Sequence, residues 1–130
     1  MENEVIILND LIITPLIKAR DSLELALNAP KTDLNRDASI QRFEFTFELA
    51  WKTMKRILKY KGILINNPRD TIRETAKEGL IDDPKTWFVF LENRNLTSHV
   101  YNEKVAEKIY SSLPEFKVAL DAFIESIITL

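Results

Sequence analysis

The chain has 130 residues, of which 45% are hydrophobic and 29% are charged, a balance typical of a folded globular protein. Its 18 basic and 20 acidic residues give a net charge of -2, which excludes a basic surface over the whole protein but allows a local basic patch. Two glycines, Gly62 and Gly79, are too few for a glycine-rich phosphate loop or a dinucleotide-binding fingerprint. No cysteine and a single histidine exclude a Cys/His zinc site. We therefore expect neither a metal site nor a cofactor.

The N-terminal residues are not expected to form a signal peptide or a membrane span. Residues 1–4 are acidic, unlike the start of a secretory signal peptide. The apolar stretch that follows is interrupted by Asn9, Asp10 and Pro15, and it falls short of the ~20 residues needed to span a bilayer. We expect a cytoplasmic protein that does not associate with a membrane.

Hydrophobic residues recur at steps of three and four along most of the chain, which predicts helices. A first helix is expected over residues 5–29. Either it kinks at Pro15, or its regular part begins with Thr14 as N-cap and Pro15 in the first turn. A second helix is expected from Thr32 to Gly62, since threonine is a good N-cap and glycine often follows a helix C-terminus. At ~1.5 Å per residue it would be about 45 Å long, the length of a bundle's central helix.

Two Pro-containing turns mark further helix starts. In Asn67-Pro68 and in Asp83-Pro84, a capping side chain precedes a proline that suits the first helical turn. The first turn predicts a short helix ending near Gly79, and the second predicts a helix running to about Thr97.

The C-terminal third of the chain is also helical in pattern. Asn102 can cap a helix, and the capping box from Ser112 to Glu115 predicts that the chain bends or starts a new helix there. No segment alternates with the period of two expected of a strand. We therefore expect an all-α fold, an up-and-down antiparallel four-helix bundle with a short extra helix, forming a single domain over residues 1–130.

The polar segment between two helices, around Arg94 and His99, is the most informative part of the sequence for function. An arginine offers a planar fork of donors that suits a phosphate, and a histidine can move protons near neutral pH. Together they would suffice to break an RNA phosphodiester bond without a metal ion. Because there is one histidine, a second proton-transfer group would come from Tyr101, from water or from a second copy in a twofold dimer. Spacing alone favours a plainer role, in which both side chains bond the last carbonyl groups of a helix.

The same segment resembles a known family. Arg94-Asn95, followed by His99 and Tyr101, resembles the R-N-x3-H-x-Y signature of the HEPN superfamily. The phenylalanine-rich residues 40–52 and the turn Pro68-Arg69-Asp70 extend the similarity to the nucleotidyltransferase substrate-binding proteins, over roughly residues 10–128.

This resemblance implies a helical bundle that forms a homodimer, and a partner that is a separate minimal nucleotidyltransferase. In such pairs the HEPN subunit can be a metal-independent ribonuclease toxin, and the transferase its antitoxin, which adds AMP to the motif tyrosine. Carried over to this chain, Arg94 and His99 are expected to be catalytic, with Asn95 supporting them. Tyr101 is the expected acceptor of AMP. The alternative is a non-catalytic substrate-binding or regulatory subunit of the transferase. The chain is not itself the transferase, because it lacks a Gly-Ser turn and an Asp-x-Asp pair.

Four basic residues of the second helix lie at steps i, i+3, i+4 and i+7 and form one stripe. They are Lys52, Lys55, Arg56 and Lys59. The stripe could contact an RNA backbone or an acidic partner, or it could be a solvated face near a helix C-terminus, where cations are favoured. Glu48 is expected to pair with Lys52 one turn away. The tryptophans and phenylalanines are expected in the core rather than as a base-stacking surface.

Overall fold

The computed structural model describes residues 3–130. The described chain starts with a hairpin of two short strands, followed by five α-helices and one 3-10 turn, and none of these helices is long and apolar enough to cross a membrane. The elements are β1 (Ile6–Ile7), β2 (Leu11–Ile12), α1 (Thr14–Asn28), α2 (Asp33–Tyr60), α3 (Pro68–Lys77), α4 (Pro84–Leu96), the 3-10 turn (Thr97–His99) and α5 (Glu103–Ile127). The predicted all-α bundle is confirmed, with α3 as the short extra helix.

The N-terminal hairpin replaces the beginning of the helix expected over residues 5–29, so that prediction was wrong for this part. β1 and β2 are antiparallel, with Ile6 opposite Ile12. Leu8 and Asn9 in the connecting turn have φ angles of 51° and 74°, which a right-handed helix does not contain. Strands of two residues are too short to produce a detectable alternation of polar and apolar residues.

Of the two alternatives for Pro15, the structure shows the one in which it lies in the first turn of a helix. The N-cap position is Ile13, whose side chain makes no capping hydrogen bond. The hydroxyl of Thr14 instead accepts a hydrogen bond of 2.8 Å from the backbone N–H of Val5 and ties the hairpin to the helix.

The ends of α2 follow the sequence signals. The hydroxyl of Thr32 accepts a hydrogen bond of 3.1 Å from the backbone N–H of Asn35. After Tyr60, Gly62 adopts a φ of 85°, which glycine reaches without a steric penalty. The 28 residues of α2 make it the longest helix and the central one, packed against α1, α3, α4 and α5.

Aromatic side chains fill the centre of the bundle. The ring of Phe116 on α5 lies 4.9 Å from that of Phe43 on α2, and 5.1 Å from that of Phe90 on α4, both edge to face. Trp87 joins the same cluster at 5.8 Å from Phe116. These positions confirm the expected core, whereas two other phenylalanines depart from it. They are Phe45, which is exposed, and Phe88, which is half-buried.

No new helix begins at the capping box from Ser112 to Glu115, because α5 is continuous through Pro114. The hydroxyl of Ser112 donates to the carbonyl of Ile109 at 2.7 Å and accepts a hydrogen bond of 2.9 Å from the side-chain amide of Asn93. The serine therefore links α5 to α4 instead of capping a new helix. A local capping signal is outweighed here by the burial of the apolar face of α5 on both sides of it.

Candidate functional site

The segment between α4 and α5 leaves the helical path directly after Leu96. The hydroxyl of Thr97 donates to the carbonyl of Arg94 at 2.7 Å, and the backbone N–H of Asn102 donates to the carbonyl of His99 at 3.1 Å. The carbonyls at this helix end are thus bonded by a threonine hydroxyl and by the backbone. Within residues 3–130, neither the Arg94 nor the His99 side chain has the plainer role of bonding a helix-end carbonyl.

His99 and Tyr101 form a pair at the surface. The imidazole Nδ1 lies 3.2 Å from the phenol oxygen, and the two rings meet edge to face, with their centroids 5.8 Å apart. Both residues are exposed, and Tyr101 retains 82% of its accessible surface. The hydroxyl donates this hydrogen bond when Nδ1 is unprotonated and accepts it when Nδ1 carries a proton. A proton-transfer group and a nucleophilic hydroxyl are therefore adjacent and open to solvent.

An open cavity of about 380 Å³ lies beside this pair. It is lined by Glu92, Asn95, Leu96, His99 and Lys108. The cavity brings together His99 and Asn95, as the sequence suggested, and adds the Lys108 ammonium from α5. Sequence reasoning missed Lys108, because only the packing of α5 against α4 brings it here. Within residues 3–130, no three acidic or histidine side chains are grouped so that they could hold a metal ion.

Arg94 points to a different neighbour. Its Nε lies 2.8 Å from the carboxylate oxygen Oε1 of Glu48 on α2, without the alignment of a hydrogen bond. The other carboxylate oxygen accepts the indole N–H of Trp51 at 3.2 Å and lies 3.8 Å from the ammonium of Lys52, as expected for that pair. In the described part of the chain, Arg94 neither lines the cavity nor forms a hydrogen bond or ion pair with His99. The chain therefore places His99 and Asn95 at the cavity and Tyr101 against His99, whereas Arg94 pairs with Glu48 of α2.

Two side chains of the basic stripe of α2 already have partners within the chain. Lys52, Arg56 and Lys59 are exposed and Lys55 is half-buried. A guanidinium nitrogen of Arg56 donates to the carbonyl of Ile12 at 3.3 Å and so holds the hairpin, while Lys52 contacts the carboxylate described above. Lys55 and Lys59 form no hydrogen bond or ion pair within residues 3–130.

A buried arginine anchors the start of α5, directly after the segment that carries His99 and Tyr101. The Arg36 side chain of α2, only 4% exposed, lies with Nη1 2.7 Å from Glu103 and 3.2 Å from Glu107. Its hydrogen bond holds the pKa of Glu103 below the ordinary value, while Lys31 and then Arg36 lower that of Glu107. The same carboxylates raise the pKa of Arg36 above its usual range. Because Glu103 follows Asn102 directly, this cluster fixes one end of the loop that carries His99 and Tyr101.

Fold and site together define a helical bundle that exposes a histidine–tyrosine pair beside an open cavity. Residues 11–128 match the family described as "Nucleotidyltransferase substrate binding protein like", and the chain belongs to this family. The resemblance stated from the sequence is thereby confirmed. A relative from Haemophilus influenzae, named probable ribonuclease HepT, is 33% identical over 94 residues, which cover 68% of this chain and 64% of the relative. The match thus spans less than two thirds of that relative's length.

Two solved structures share the fold. A crystal structure of a protein from Thermus thermophilus has a TM-score of 0.80 and 31% identity, over 85% of this chain and 96% of that one. A structure from Haemophilus influenzae has a TM-score of 0.79 and 28% identity, over 88% and 97% of the two chains. The latter is described as revealing the fold of a substrate binding domain of a nucleotidyltransferase.

Proposed function

We propose that this chain is the HEPN-type partner subunit of a minimal nucleotidyltransferase. It acts in the cytoplasm as a metal-independent ribonuclease toxin, and adenylylation of Tyr101 neutralises it. The observation that carries the proposal is the 3.2 Å contact between His99 and Tyr101, exposed beside an open cavity. The names of two similar proteins, a probable ribonuclease and a substrate binding domain of a nucleotidyltransferase, support its two halves.

In the proposed cleavage, the ribose 2′-oxygen forms a bond to phosphorus as the bond from phosphorus to the 5′-oxygen breaks. A base takes the proton of the 2′-hydroxyl, and an acid gives a proton to the leaving 5′-oxygen, so that a cyclic phosphate and a free 5′-hydroxyl result. His99 performs one of these proton transfers. The guanidinium of Arg94 stabilises the charge that develops on the phosphoryl oxygens, and Asn95 in the cavity supports the reacting groups.

A homodimer completes this arrangement. Each chain has one histidine, whereas acid and base roles require two groups, and within one chain Arg94 pairs with Glu48. A twofold axis through the site would add the partner's His99 as the second proton-transfer group and set Arg94 of one subunit near it. Lys52, Lys55, Arg56 and Lys59 then provide further contact to RNA or to an acidic surface of the transferase, chiefly through Lys55 and Lys59.

Adenylylation would act directly on the histidine–tyrosine pair. The phenol oxygen of Tyr101 forms a bond to the α-phosphorus of ATP, pyrophosphate leaves, and the phenol proton passes to a base, for which Nδ1 of His99 is in hydrogen-bond reach. The product carries an anionic phosphodiester and a nucleoside next to the imidazole. It blocks the cavity and repels an RNA phosphate.

Incubation of the purified chain with single-stranded RNA in EDTA tests the ribonuclease. We expect cleavage by the natural chain and none by Arg94→Ala or His99→Ala. Arg20→Ala is the matched control, because Arg20 is also a half-buried arginine held by carboxylates, but on α1. No cleavage, or equal cleavage by all variants, would remove the ribonuclease proposal.

The second candidate is a non-catalytic substrate-binding subunit of the transferase. It is favoured by the neutralisation of Arg94 by Glu48 and by the absence of Arg94 from the cavity lining in the described chain. A stable complex that changes transferase activity, together with no RNA cleavage, would establish this function instead.

A further inference from the structure

Two arginines of α3 lie over the aromatic ring of Phe88 on α4. The guanidinium carbon of Arg69 lies 4.6 Å from the ring centroid, and that of Arg73 lies 5.6 Å from it. Both arginines are exposed, while Phe88 is half-buried against the core and therefore held in place. Arg69 belongs to the turn Pro68-Arg69-Asp70, which the proposed function leaves unused. We refer to Arg69, Arg73 and Phe88 as the α3–α4 arginine cluster.

The two arginines differ in how much of their charge is compensated. Arg73 pairs with Asp70 at 2.9 Å, whereas Arg69 forms no ion pair within residues 3–130. A ring contact orients a guanidinium without neutralising it or occupying its N–H donors. Arg69 is therefore a pre-oriented, uncompensated cation whose donors suit a phosphate and whose outer plane can stack on a nucleic-acid base.

The cluster lies on the same face of α4 as the candidate site. Phe88, Glu92 and Asn95 follow one another on α4 at steps of four and three residues, and Glu92 and Asn95 line the cavity together with His99 of the 3-10 turn. Seven residues at ~1.5 Å each place Phe88 about 10 Å along α4 from Asn95, which lines the His99 cavity, a separation that a few nucleotides of a single strand can span. Glu92 lies between Phe88 and Asn95 along α4, and its carboxylate would repel phosphate. A strand that runs along this face therefore has its phosphates on the α3 side, where the arginines are.

We propose that the α3–α4 arginine cluster binds a nucleotide of single-stranded RNA a few positions from the bond held at the His99 cavity. Arg69 contacts its phosphate, and the base stacks on the guanidinium that Phe88 supports. This inference rests on the proposed function in taking RNA as the occupant. The charge complementarity and the shared helix face favour RNA over the other occupants that the test below distinguishes.

Binding of a fully 2′-O-methylated single-stranded RNA, followed by fluorescence anisotropy, tests the cluster without any need for cleavage. We expect Arg69→Ala to weaken binding about tenfold and to lower the slope of log affinity against log salt by about 0.7, because one phosphate contact is lost. Phe88→Leu weakens binding with little change of slope. Lys77→Ala is the matched control, since Lys77 is an exposed cation on the same helix that pairs with Glu74, and it should change affinity by less than about twofold.

Arg69→Lys separates charge from stacking, because it keeps the positive charge and lacks the planar group. This variant should have the same slope of log affinity against log salt as the natural chain, but a lower affinity for RNA. Circular dichroism melts should show that the Arg69 variants remain folded, because Arg69 is exposed.

The outcomes separate this inference from the ribonuclease proposal. Equal affinities for Arg69→Ala and Lys77→Ala would overturn the cluster as an RNA site, even if natural RNA is cleaved. Affinity that depends on Arg69, in a chain that cleaves nothing, would support the cluster and remove the ribonuclease. The RNA site would also be overturned if Arg69→Ala lost ATP binding, or changed its oligomeric state, while its affinity for RNA stayed unchanged.

Discussion

Glu48 of α2 reaches Arg94 of α4, with its carboxylate oxygen 2.8 Å from Nε. The same carboxylate accepts the indole N–H of Trp51, so it is fixed on its own helix and can orient the guanidinium. The side chains are 29% and 32% exposed, so the ion pair is worth about 1 kcal/mol of stability or less. Its importance lies in the direction that it gives to Arg94. In the proposed reaction, Glu48 is a positioning residue.

The first prediction concerns Glu48→Ala. We expect kcat for RNA cleavage to fall about tenfold without a rise in KM, because Arg94 keeps its charge but loses its orientation. Glu48→Gln keeps an acceptor oxygen and should recover most of the loss. Steady-state kinetics and thermal melts of both variants provide the measurement. A loss of activity that simply follows a loss of stability would contradict the positioning role.

The second prediction concerns Tyr101→Phe. Tyr101 is 82% exposed, so the variant should be as stable as the natural chain. It should still cleave RNA, but the partner transferase with ATP should no longer silence it, because the acceptor oxygen is gone. The measurement is cleavage before and after incubation with transferase and ATP, with mass spectrometry of the chain.

Tyr60→Phe is the matched control for this experiment, since Tyr60 is another exposed tyrosine, on α2. This variant should be silenced like the natural chain. If Tyr101→Phe is silenced too, the acceptor lies elsewhere. If Tyr101→Phe no longer cleaves RNA at all, the hydroxyl would itself be a proton-transfer group.

The third prediction is a pH dependence of stability. The pKa values of Glu103 and Glu107 are lowered by Arg36 and Lys31 in the folded chain. Carboxyls with a lower pKa in the folded state than in the unfolded state stabilise the fold above the unfolded value and lose this effect as the pH falls through the folded value. We therefore expect Tm to fall as the pH drops below the ordinary glutamate value of 4.5.

A double variant, Glu103→Gln with Glu107→Gln, should have a lower Tm at neutral pH and a weaker dependence on acid. Glu125→Gln removes an exposed carboxylate from the same helix and should keep the natural dependence. Melting curves between neutral pH and about pH 3 provide the measurement. Identical curves for the double variant and the natural chain would show that the Arg36 cluster does not control acid stability.

The fourth prediction concerns Pro114, which is exposed inside α5. Proline has no N–H to donate to the carbonyl one turn earlier, at Tyr110. Pro114→Ala restores this donor and should raise the free energy of unfolding by about 1–3 kcal/mol. Denaturant unfolding measures it. Glu115→Ala, at the next exposed position, should change the free energy of unfolding by less than about 0.5 kcal/mol. If Pro114→Ala leaves the free energy of unfolding unchanged, the helix has fully adapted to the proline.

The ends of most helices could be predicted from the sequence because caps act over a few residues. Asn67 accepts from the backbone N–H of Asp70 at 2.8 Å, as the local pattern indicates. The hairpin could not be predicted, because its strands have two residues each. The capping box at Ser112 wrongly predicted a new helix start, because it too is only a local signal. A cap is a local preference of about 1 kcal/mol, and burial of the apolar residues of α5 exceeds it.

By itself the sequence determined the class of fold, most helix boundaries and the neighbourhood of His99 and Tyr101, since these depend on periodicity, capping and residues close together along the chain. Only the tertiary structure decided that Arg94 meets Glu48 and that Arg69 lies on the ring of Phe88. Each of these contacts joins two different helices. Their relative positions result from the packing of the whole core, which no local pattern specifies.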